Sequence, residues 1–291
     1  MRWLIYGLGG GLGHAVRCAS LAGALEELGV HSRVLCSDAS APVARSLFHD
    51  VVGLGREEHP NREALRRRVE QELHGRDLLL LDTFPRGILS ELEVEGRGAP
   101  RFLLTRLVAA PDARLYGEAG WAELGLRGVV DIEPNLGWLP GPALRCGPVA
   151  RRLARPHLTP EPDVEIALKS AAARERTLRL LRRLPEVRWR TLVAPQLVEG
   201  FTARILVGAA GYNLSYELAG AGIWHIALPA RRTLDDQARR ARQLGALVQS
   251  PEAFERRLRA LLDATPRPAD VVLDHGAFAR ELIDYVASRT R

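Results

Sequence analysis

The chain has 291 residues, of which 46% are hydrophobic, and its formal net charge is +6. This length suits two domains of ordinary size, and the composition excludes an intrinsically disordered chain. No apolar run reaches the roughly 20 residues of a membrane-spanning helix, and no charged-then-apolar leader precedes the first predicted strand. Cys18, Cys36 and Cys146 are far apart and lack metal-ligand spacing, so we expect reduced thiols and a cytoplasmic location.

The basic excess is carried by arginine, since Lys169 is the only lysine. A basic surface attracts anionic lipids and phosphorylated substrates, which leaves peripheral membrane association open. Aromatic residues make up only 5% of the chain and do not interleave with basic residues. We therefore expect no nucleic acid partner.

The amino-terminal segment predicts a βαβ unit. Arg2 to Tyr6 is an apolar strand, Gly7 to His14 is a glycine-rich loop, Ala15 to Leu28 has helical periodicity, and Val30 to Cys36 is a second strand. A glycine-rich first turn between parallel strands is typical of the opening of a doubly wound domain.

A dinucleotide site is one interpretation of this opening. The strict G-x-G-x-x-G spacing fails, because Gly7 and Gly9 would require glycine where Leu12 stands. Asp38 follows the second strand, where an acidic residue could bind a ribose. The dinucleotide hypothesis stays open on Asp38 alone.

Asp82 ends the next predicted strand, Asp77 to Leu81, and is followed by the turn sequence T-F-P-R-G. A carboxylate at the carboxyl end of a buried parallel strand occupies a binding-site position in an open α/β sheet. The alternative is that Asp82 caps a helix predicted over Ile88 to Leu92. The residues alone do not choose between the two.

The other predicted elements complete two α/β halves joined by an Arg- and Pro-rich linker over Arg151 to Pro162. The further strands are expected at Arg101–Leu104, Gly128–Ile132, Leu144–Val149, Val164–Leu168 and Arg188–Val193. The further helices are expected at Ala41–Phe48, Arg62–Leu73, Thr177–Leu184, Ala238–Leu244, Ala253–Leu262 and Gly276–Ser288.

The stretch from Ile205 to Gln237 has the features of an anion site. An apolar strand ends at Gly208, and the small residues up to Gly211 allow the backbone to approach a ligand closely. A helix is predicted from Tyr212, with Asn213 and Ser215 as expected caps. The free amides and the positive end of the dipole at such a helix start favour a bound anion.

Polar residues extend this predicted site along the same sheet edge. Glu217 lies about a turn and a half into the helix, where its carboxylate could accept both hydroxyls of a ribose. Ile226 to Pro229 is the next buried strand, and Asp235, Asp236 and Gln237 follow it. These residues are expected at the carboxyl ends of neighbouring strands.

The pattern G-Y-N-x-x-x-E-x-x-x-x-G, a strand ending in Pro, and D-D-Q-x-x-x-A resembles the nucleotide-sugar half of GT-B glycosyltransferases. That superfamily includes the N-acetylglucosaminyltransferase of peptidoglycan-precursor synthesis and the UDP-sugar hydrolase of pseudaminic acid synthesis. The resemblance implies that Gly211 and the turn around it hold a diphosphate and that Glu217 holds the ribose. It further implies that Asp236 and Gln237 hold the donor sugar.

The segment G-L-G-H-A-V-R-C resembles the amino-terminal loop of the same proteins. The resemblance implies that Gly11 and Gly13 face the ligand cleft and that His14 lies near the reacting sugar. A histidine at a helix start is expected to be exposed enough to titrate and to move protons, with capping or packing as the alternative. For Arg17, a salt bridge and an anionic substrate group remain equal alternatives.

The D-T-F-P-R-G string resembles one in predicted bacterial glycosyltransferases, which implies that Asp82 binds acceptor or acts as a second acid or base. The chain departs from the family after the first strand of the second half. Relatives carry a glycine-rich turn there, whereas this sequence has K-S-A-A-A-R from Lys169 to Arg174. Without glycine the backbone stays farther from a phosphate.

The expected fold is α/β and GT-B-like, with two Rossmann-like domains whose parallel sheets face a central cleft. The amino-terminal domain spans 1–150, the nucleotide-sugar domain spans 163–270, and a helix in 271–291 is expected to return to the first domain.

The expected function is that of a metal-independent bacterial glycosyltransferase of the hexosyltransferase type. Its donor would be a UDP-sugar bound as substrate, with no separate cofactor. The acceptor would be a small molecule, a lipid-linked molecule or a glycan. A nucleotide-sugar hydrolase and a non-catalytic binding protein remain alternatives, the latter because of the missing glycine turn.

Overall fold

The computed structural model describes residues 1–9, 11–55, 61–92, 98–106, 123–133, 143–153, 162–192, 201–230, 235–265 and 271–290. The chain forms two compact units. The first comprises Met1–Arg151 and Leu273–Arg291, and the second comprises Arg152–Val272. Most of the predicted linker lies outside the described residues.

The strands of the described residues form two sheets in which every strand pair is parallel. In chain order they are β1 Arg2–Tyr6, β2 His31–Ser37, β3 Val51–Leu54, β4 Leu78–Asp82, β5 Arg101–Thr105, β6 Leu126–Asp131, β7 Leu144–Arg145, β8 Val164–Ala167, β9 Trp189–Thr191, β10 Ile205–Gly208 and β11 Trp224–Ala227.

The helices of the described residues connect these strands or follow them. In chain order they are α1 Leu12–Glu26, α2 Ala41–Arg45, α3 Arg62–Leu73, α4 Ala171–Leu181, α5 Tyr212–Ala221, α6 Gln237–Gln243, α7 Pro251–Leu262 and α8 His275–Thr290. None in the described part of the chain is both long enough and apolar enough to cross a membrane.

The sheet of the first unit has the order β3-β2-β1-β4-β5-β6-β7. The chain moves outward in one direction from β1 to β3 and in the other from β4 to β7, so the topological switch point lies between β1 and β4. Ligands of open α/β sheets bind at the carboxyl ends of the strands at such a point. The loop after β1 and the last residue of β4, Asp82, both lie at this edge.

The sheet of the second unit has the order β11-β10-β8-β9, which places its switch point between β8 and β10. The segment around Lys169 follows β8, and the turn from Gly208 to Gly211 follows β10. Both therefore lie at the carboxyl edge of the sheet, beside each other.

Helix α8 packs within the first unit. Its Phe278 and Leu282 are buried, and its Tyr285 ring lies over Gly128 so closely that a Cβ there would come within 2.7 Å of that ring. The Cys146 thiol donates to the Glu281 carboxylate at 3.3 Å. Burial, together with Glu281, raises the pKa of Cys146. The three cysteines are buried free thiols.

Strand β3 was missed by the sequence prediction, because four residues including Gly53 give too short an apolar pattern. The predicted helix over Ile88 to Leu92 is wrong. That segment is a turn with positive φ at Gly87 and Ser90. The buried Glu91 carboxylate holds it by accepting hydrogen bonds from the Tyr6 hydroxyl and from the amide of Leu89.

Helix α4 begins at Ala171, six residues before the predicted start at Thr177. The glycine-free segment after β8 explains the difference, because the Ser170 hydroxyl accepts from the Ala173 amide at 3.3 Å and caps the helix. Ser170 therefore already serves a structural role at this edge of the second sheet.

Candidate active site

His14 and Asp82 meet at the switch point of the first sheet. His14 lies in the first turn of α1, which follows β1, and Asp82 ends β4. The His14 Nδ1 atom lies 2.8 Å from the Asp82 Oδ2 atom. The two residues that the sequence selected as catalytic candidates, 68 positions apart, thus form a hydrogen-bonded pair.

Arg17 joins this pair from the same helix. Its Nε donates to Asp82 Oδ1 at 3.1 Å, and its Nη2 donates to Oδ1 at 2.8 Å and to Oδ2 at 2.6 Å. Arg17 is 1% exposed and Asp82 is fully buried. Of the two alternatives for Arg17, the structure therefore shows the salt bridge. The alternative in which Asp82 caps the helix predicted over Ile88 to Leu92 is wrong, because the described residues 83–92 contain no helix.

The Asp82 carboxylate is ionised in this arrangement. Burial alone would raise the pKa of Asp82, but the Arg17 guanidinium and His14 outweigh it and hold that pKa well below its usual range. An ionised carboxylate only accepts hydrogen bonds, so His14 donates through Nδ1–H. The neutral imidazole then carries its free lone pair on Nε2.

The expectation that His14 would be well exposed is wrong, since it is 8% exposed. Burial lowers the pKa of His14; Asp82 opposes this shift, and Arg17 and Arg106 reinforce it. The imidazole is consequently neutral at pH 7, which is the form that can accept a proton.

Two neighbours fix the imidazole plane. The Phe84 ring stacks on it with centroids 5.4 Å apart and an interplanar angle of 30°. On another side, a Cβ at Gly9 would overlap the Cδ2–Nε2 edge of the ring. Gly9 is thus required by His14, a role the sequence motif did not reveal. Gly11 precedes α1 with extended backbone, and Gly13 lies within its first turn.

The first turn of α5 is the candidate anion site of the second unit. The helix begins at Tyr212 with Gly211 as its N-cap and no capping side chain. The expectation that Asn213 and Ser215 cap this helix is therefore wrong, because both lie inside it. Ser215 is buried, and its Oγ has no hydrogen-bond partner among the residues that the structure describes. A buried hydroxyl of this kind is a site where a ligand oxygen could be accommodated.

The glycines of this turn differ in what they allow. A Cβ at Gly208 would lie 2.9 Å from the Leu214 side chain, so glycine is needed there for packing within the unit. A Cβ at Gly211 would meet no atom of the described residues within 4 Å. No described residue fills the space beside Gly211 at the N-terminus of α5, as a ligand bound at the helix start would require.

Tyr212 and Glu217 are both largely buried. Tyr212 packs on Tyr216 with ring centroids 4.8 Å apart, and the Arg240 guanidinium lies 5.7 Å from the Tyr212 ring centroid. Tyr212 thus supports the helix start by packing. The role of Glu217 toward a ribose stays a prediction.

The segment before α6 forms a buried network centred on Arg240. The Nη1 atom of Arg240 donates to the Asp235 carboxylate at 2.7 Å and to the Ala210 carbonyl at 2.9 Å. The Gln237 amide donates to Asp235 at 3.1 Å and accepts from the amide of Ala230 at 3.0 Å. Asp236 caps α6 by accepting from the amide of Arg239 at 3.0 Å.

This network gives Asp236 and Gln237 structural partners, and their role toward a donor sugar stays a prediction. The sequence singled out neither Asp235 as the buried acid nor Arg240 as its partner. Their signal was an arginine within a helical run that two aspartates precede. The network joins the turn after β10 to the segment before α6.

Arg240→Ala is expected to lower the free energy of unfolding by about 3–5 kcal/mol, because Asp235 would remain buried without its counter-charge. Urea unfolding of the variant measures the effect. Arg242→Ala, an exposed position on the same helix, is the control and should change stability little. Equal unfolding midpoints for the two variants would contradict the importance of the network.

Among the described residues, no group of three or more His, Cys, Asp or Glu side chains could hold a metal ion. Two candidate sites thus lie among the described residues: the buried cluster of His14, Asp82 and Arg17 in the first unit, and the start of α5 in the second.

No protein-family model and no curated protein matches the chain in sequence. Solved structures match it over nearly its whole length. The calicheamicin glycosyltransferase CalG4 is 14% identical with a TM-score of 0.65, and the match covers 99% of this chain and 98% of CalG4. MurG of Acinetobacter baumannii is 11% identical with a TM-score of 0.60, covering 99% of each chain.

The spinosyn rhamnosyltransferase SpnG matches in two structures. In complex with spinosyn aglycone it is 18% identical, with a TM-score of 0.59 and coverage of 99% of this chain and 97% of that one. In complex with thymidine diphosphate it is 16% identical, with a TM-score of 0.54 and coverage of 99% and 96%. Together with the two parallel sheets, these matches show that the chain has the GT-B fold of glycosyltransferases.

Proposed function

We propose that the protein is a glycosyltransferase that moves a sugar from a nucleotide diphosphate donor to the hydroxyl group of an acceptor. The observation that supports this most directly is the His14–Asp82 pair at the switch point of a GT-B unit. Asp82 accepts from Nδ1, so the basic lone pair of His14 lies on Nε2. A neutral, oriented imidazole is a general base for a hydroxyl group.

In the proposed reaction, Nε2 takes the proton of the acceptor hydroxyl while its oxygen attacks the anomeric carbon of the sugar. The bond between that carbon and the diphosphate oxygen breaks, and the nucleoside diphosphate leaves with the electron pair. The amides and the positive dipole end at the start of α5 would stabilise the charge of the leaving diphosphate in place of a metal ion. Asn213 and Ser215 lie in the first turns of this helix, and Glu217 would bind the ribose.

The donor is proposed to be a UDP-sugar. The related fold of SpnG has been solved with thymidine diphosphate and with an aglycone, so dTDP-sugars are the obvious competing donors and a small hydroxylated molecule is a suitable first acceptor. The G-L-G-H-A-V-R-C loop also resembles that of a UDP-sugar hydrolase, in which water replaces the acceptor. Free sugar released without any acceptor would indicate this second reaction.

The nucleotide site is tested by thermal unfolding with UDP, UDP-sugars, dTDP, GDP and NAD(H), because a ligand of the folded state raises its stability. One uridine nucleotide is expected to stabilise the protein selectively. Glu217→Ala should then weaken binding of that nucleotide by about 1.5–3 kcal/mol through the loss of charged hydrogen bonds, as measured by calorimetry.

Glu255→Ala is the control, because Glu255 lies on α7 and pairs with the exposed Arg259. Stabilisation by NAD(H) alone would contradict the transferase and restore the dinucleotide hypothesis for the Gly7 loop. No stabilisation by any nucleotide would favour a protein that does not bind donor at all, for which the glycine-free segment after β8 would be the physical reason.

A further inference from the structure

The Asp82 carboxylate is shared between a cation and a neutral ring. Arg17 lies one turn after His14 on α1, so both side chains reach the same carboxylate from one helix. The guanidinium contacts both carboxylate oxygens, whereas the imidazole contacts only Oδ2. The forked contact between arginine and carboxylate is the stronger and more directional of the two.

We propose that Arg17 is a positioning residue for His14: it holds Asp82 in place and balances its negative charge, so that the imidazole stays neutral and able to accept a proton. The part of the proposal that concerns a reaction rests on the proposed function, whereas the effect of Arg17 on His14 does not.

The physical reason is the balance of charge in a buried cluster. In a pair of histidine and aspartate alone, the carboxylate stabilises the imidazolium and favours uptake of a proton. Here Arg17 and Asp82 together carry no net charge, and both are almost completely buried. The carboxylate therefore orients Nδ1–H without strongly stabilising a positive ring.

The other groups that face His14 act in the same direction or are neutral. Arg106, just after β5, lowers the pKa of His14 as Arg17 does. Phe84 stacks on the ring and is uncharged. Cys18 on α1 lies near Asp82, and burial keeps its pKa well above the usual value, so it is a neutral thiol. Asp82 is thus the one negative charge among these groups.

The lowered pKa of His14 sets the pH range over which its imidazole is neutral and can act as a base. Since the pKa of His14 is lowered, the neutral ring persists to lower pH than in an ordinary exposed histidine. A base of lower pKa also gives a weaker driving force for proton transfer. Arg17 would therefore extend activity to lower pH at the expense of the strength of the base.

The test is an NMR titration of the His14 imidazole in the whole protein without any substrate, with the signal assigned by its absence from His14→Gln. Arg17→Gln is expected to raise the titration midpoint of His14 by about one pH unit or more, because it removes a cation from a buried cluster. Asp82→Asn is expected to lower the midpoint. The double variant Arg17→Gln/Asp82→Asn should return towards the wild-type value.

An unchanged or lowered midpoint in Arg17→Gln would overturn the proposal, even if that variant unfolds at lower temperature, because a purely structural arginine would affect stability alone. Should Arg17→Gln fail to fold, Asp82→Asn is compared with the double variant, whose midpoint must be the higher of the two. Arg17→Lys keeps the charge and should titrate closer to wild type than Arg17→Gln; equal midpoints for these two would also overturn the charge balance.

Turnover distinguishes this proposal from the proposed function. If both are right, Arg17→Gln shifts the acid limb of the pH–rate profile upward together with the NMR midpoint. If the midpoint moves as expected and no nucleotide-sugar is turned over by the wild-type protein, the transferase is wrong and the role of Arg17 stands.

Discussion

Replacing His14 by alanine is expected to lower sugar transfer by about 10²–10⁴-fold, the usual contribution of a positioned general base. Nucleotide binding should change little, because the donor diphosphate and ribose are assigned to residues of the second unit. Activity with a nucleotide-sugar and calorimetry with the free nucleotide measure the two effects separately.

His49→Ala is the matched control for this variant. The exposed His49 side chain pairs with the Glu26 carboxylate and lies against the Phe48 ring, so its loss should leave turnover close to wild type. A His14→Ala protein that transfers sugar at the wild-type rate would remove His14 from the chemistry. A variant that loses nucleotide affinity and keeps its turnover would place His14 in the donor site.

The sequence predicted the parallel α/β architecture well, because its strands are short apolar runs that end in glycine or a polar residue. The run from Leu78 to Leu81 is buried on both faces, which is the condition under which a strand becomes continuously apolar. Strand β3 escaped prediction, since Gly53 interrupts a run of only four residues.

Side-chain partnerships could not be predicted in the same way. His14 and Asp82 were selected separately, but only the sheet order brings the end of β4 beside the loop after β1. Arg17 contacts the same carboxylate because it lies on the same side of α1 as His14. The burial of His14 depends on its packing against Phe84 and Gly9. Such facts arise from packing between distant segments and leave no local pattern.

In the second unit, too, the sequence pattern did not predict which side chains pair with each other. The D-D-Q pattern drew attention to Asp236 and Gln237, yet the buried acid that pairs with Arg240 is Asp235. Asp236 was not recognised as a helix cap, because a cap is defined by the residue at which the helix begins, and helix ends are the least certain part of a prediction. Its signal, an acidic residue immediately before a helical run, was nevertheless present in the sequence.

Asp82→Asn is expected to lower stability strongly, because it removes the counter-charge of an almost fully buried arginine. Leaving one partner of a buried ion pair alone typically lowers the free energy of unfolding by about 3–5 kcal/mol. Urea unfolding measures this loss, and Asp77→Asn is the control, since Asp77 lies just before the same strand and accepts only from the exposed Arg2 amide in a described hydrogen bond.

Asp82→Asn is also expected to lower transfer activity by about 10³–10⁴-fold through the wrong imidazole tautomer, since an asparagine amide can donate to Nδ1 and leave the proton on Nε2.

The double variant Arg17→Gln/Asp82→Asn should distinguish the loss of stability from the loss of activity. The double variant contains no unpaired buried charge, so it should recover most of the stability and none of the activity. If it unfolded as easily as Asp82→Asn, the loss would not come from an uncompensated Arg17. Recovery of turnover together with stability would show that Asp82 serves the fold alone and that His14 needs no carboxylate to orient it.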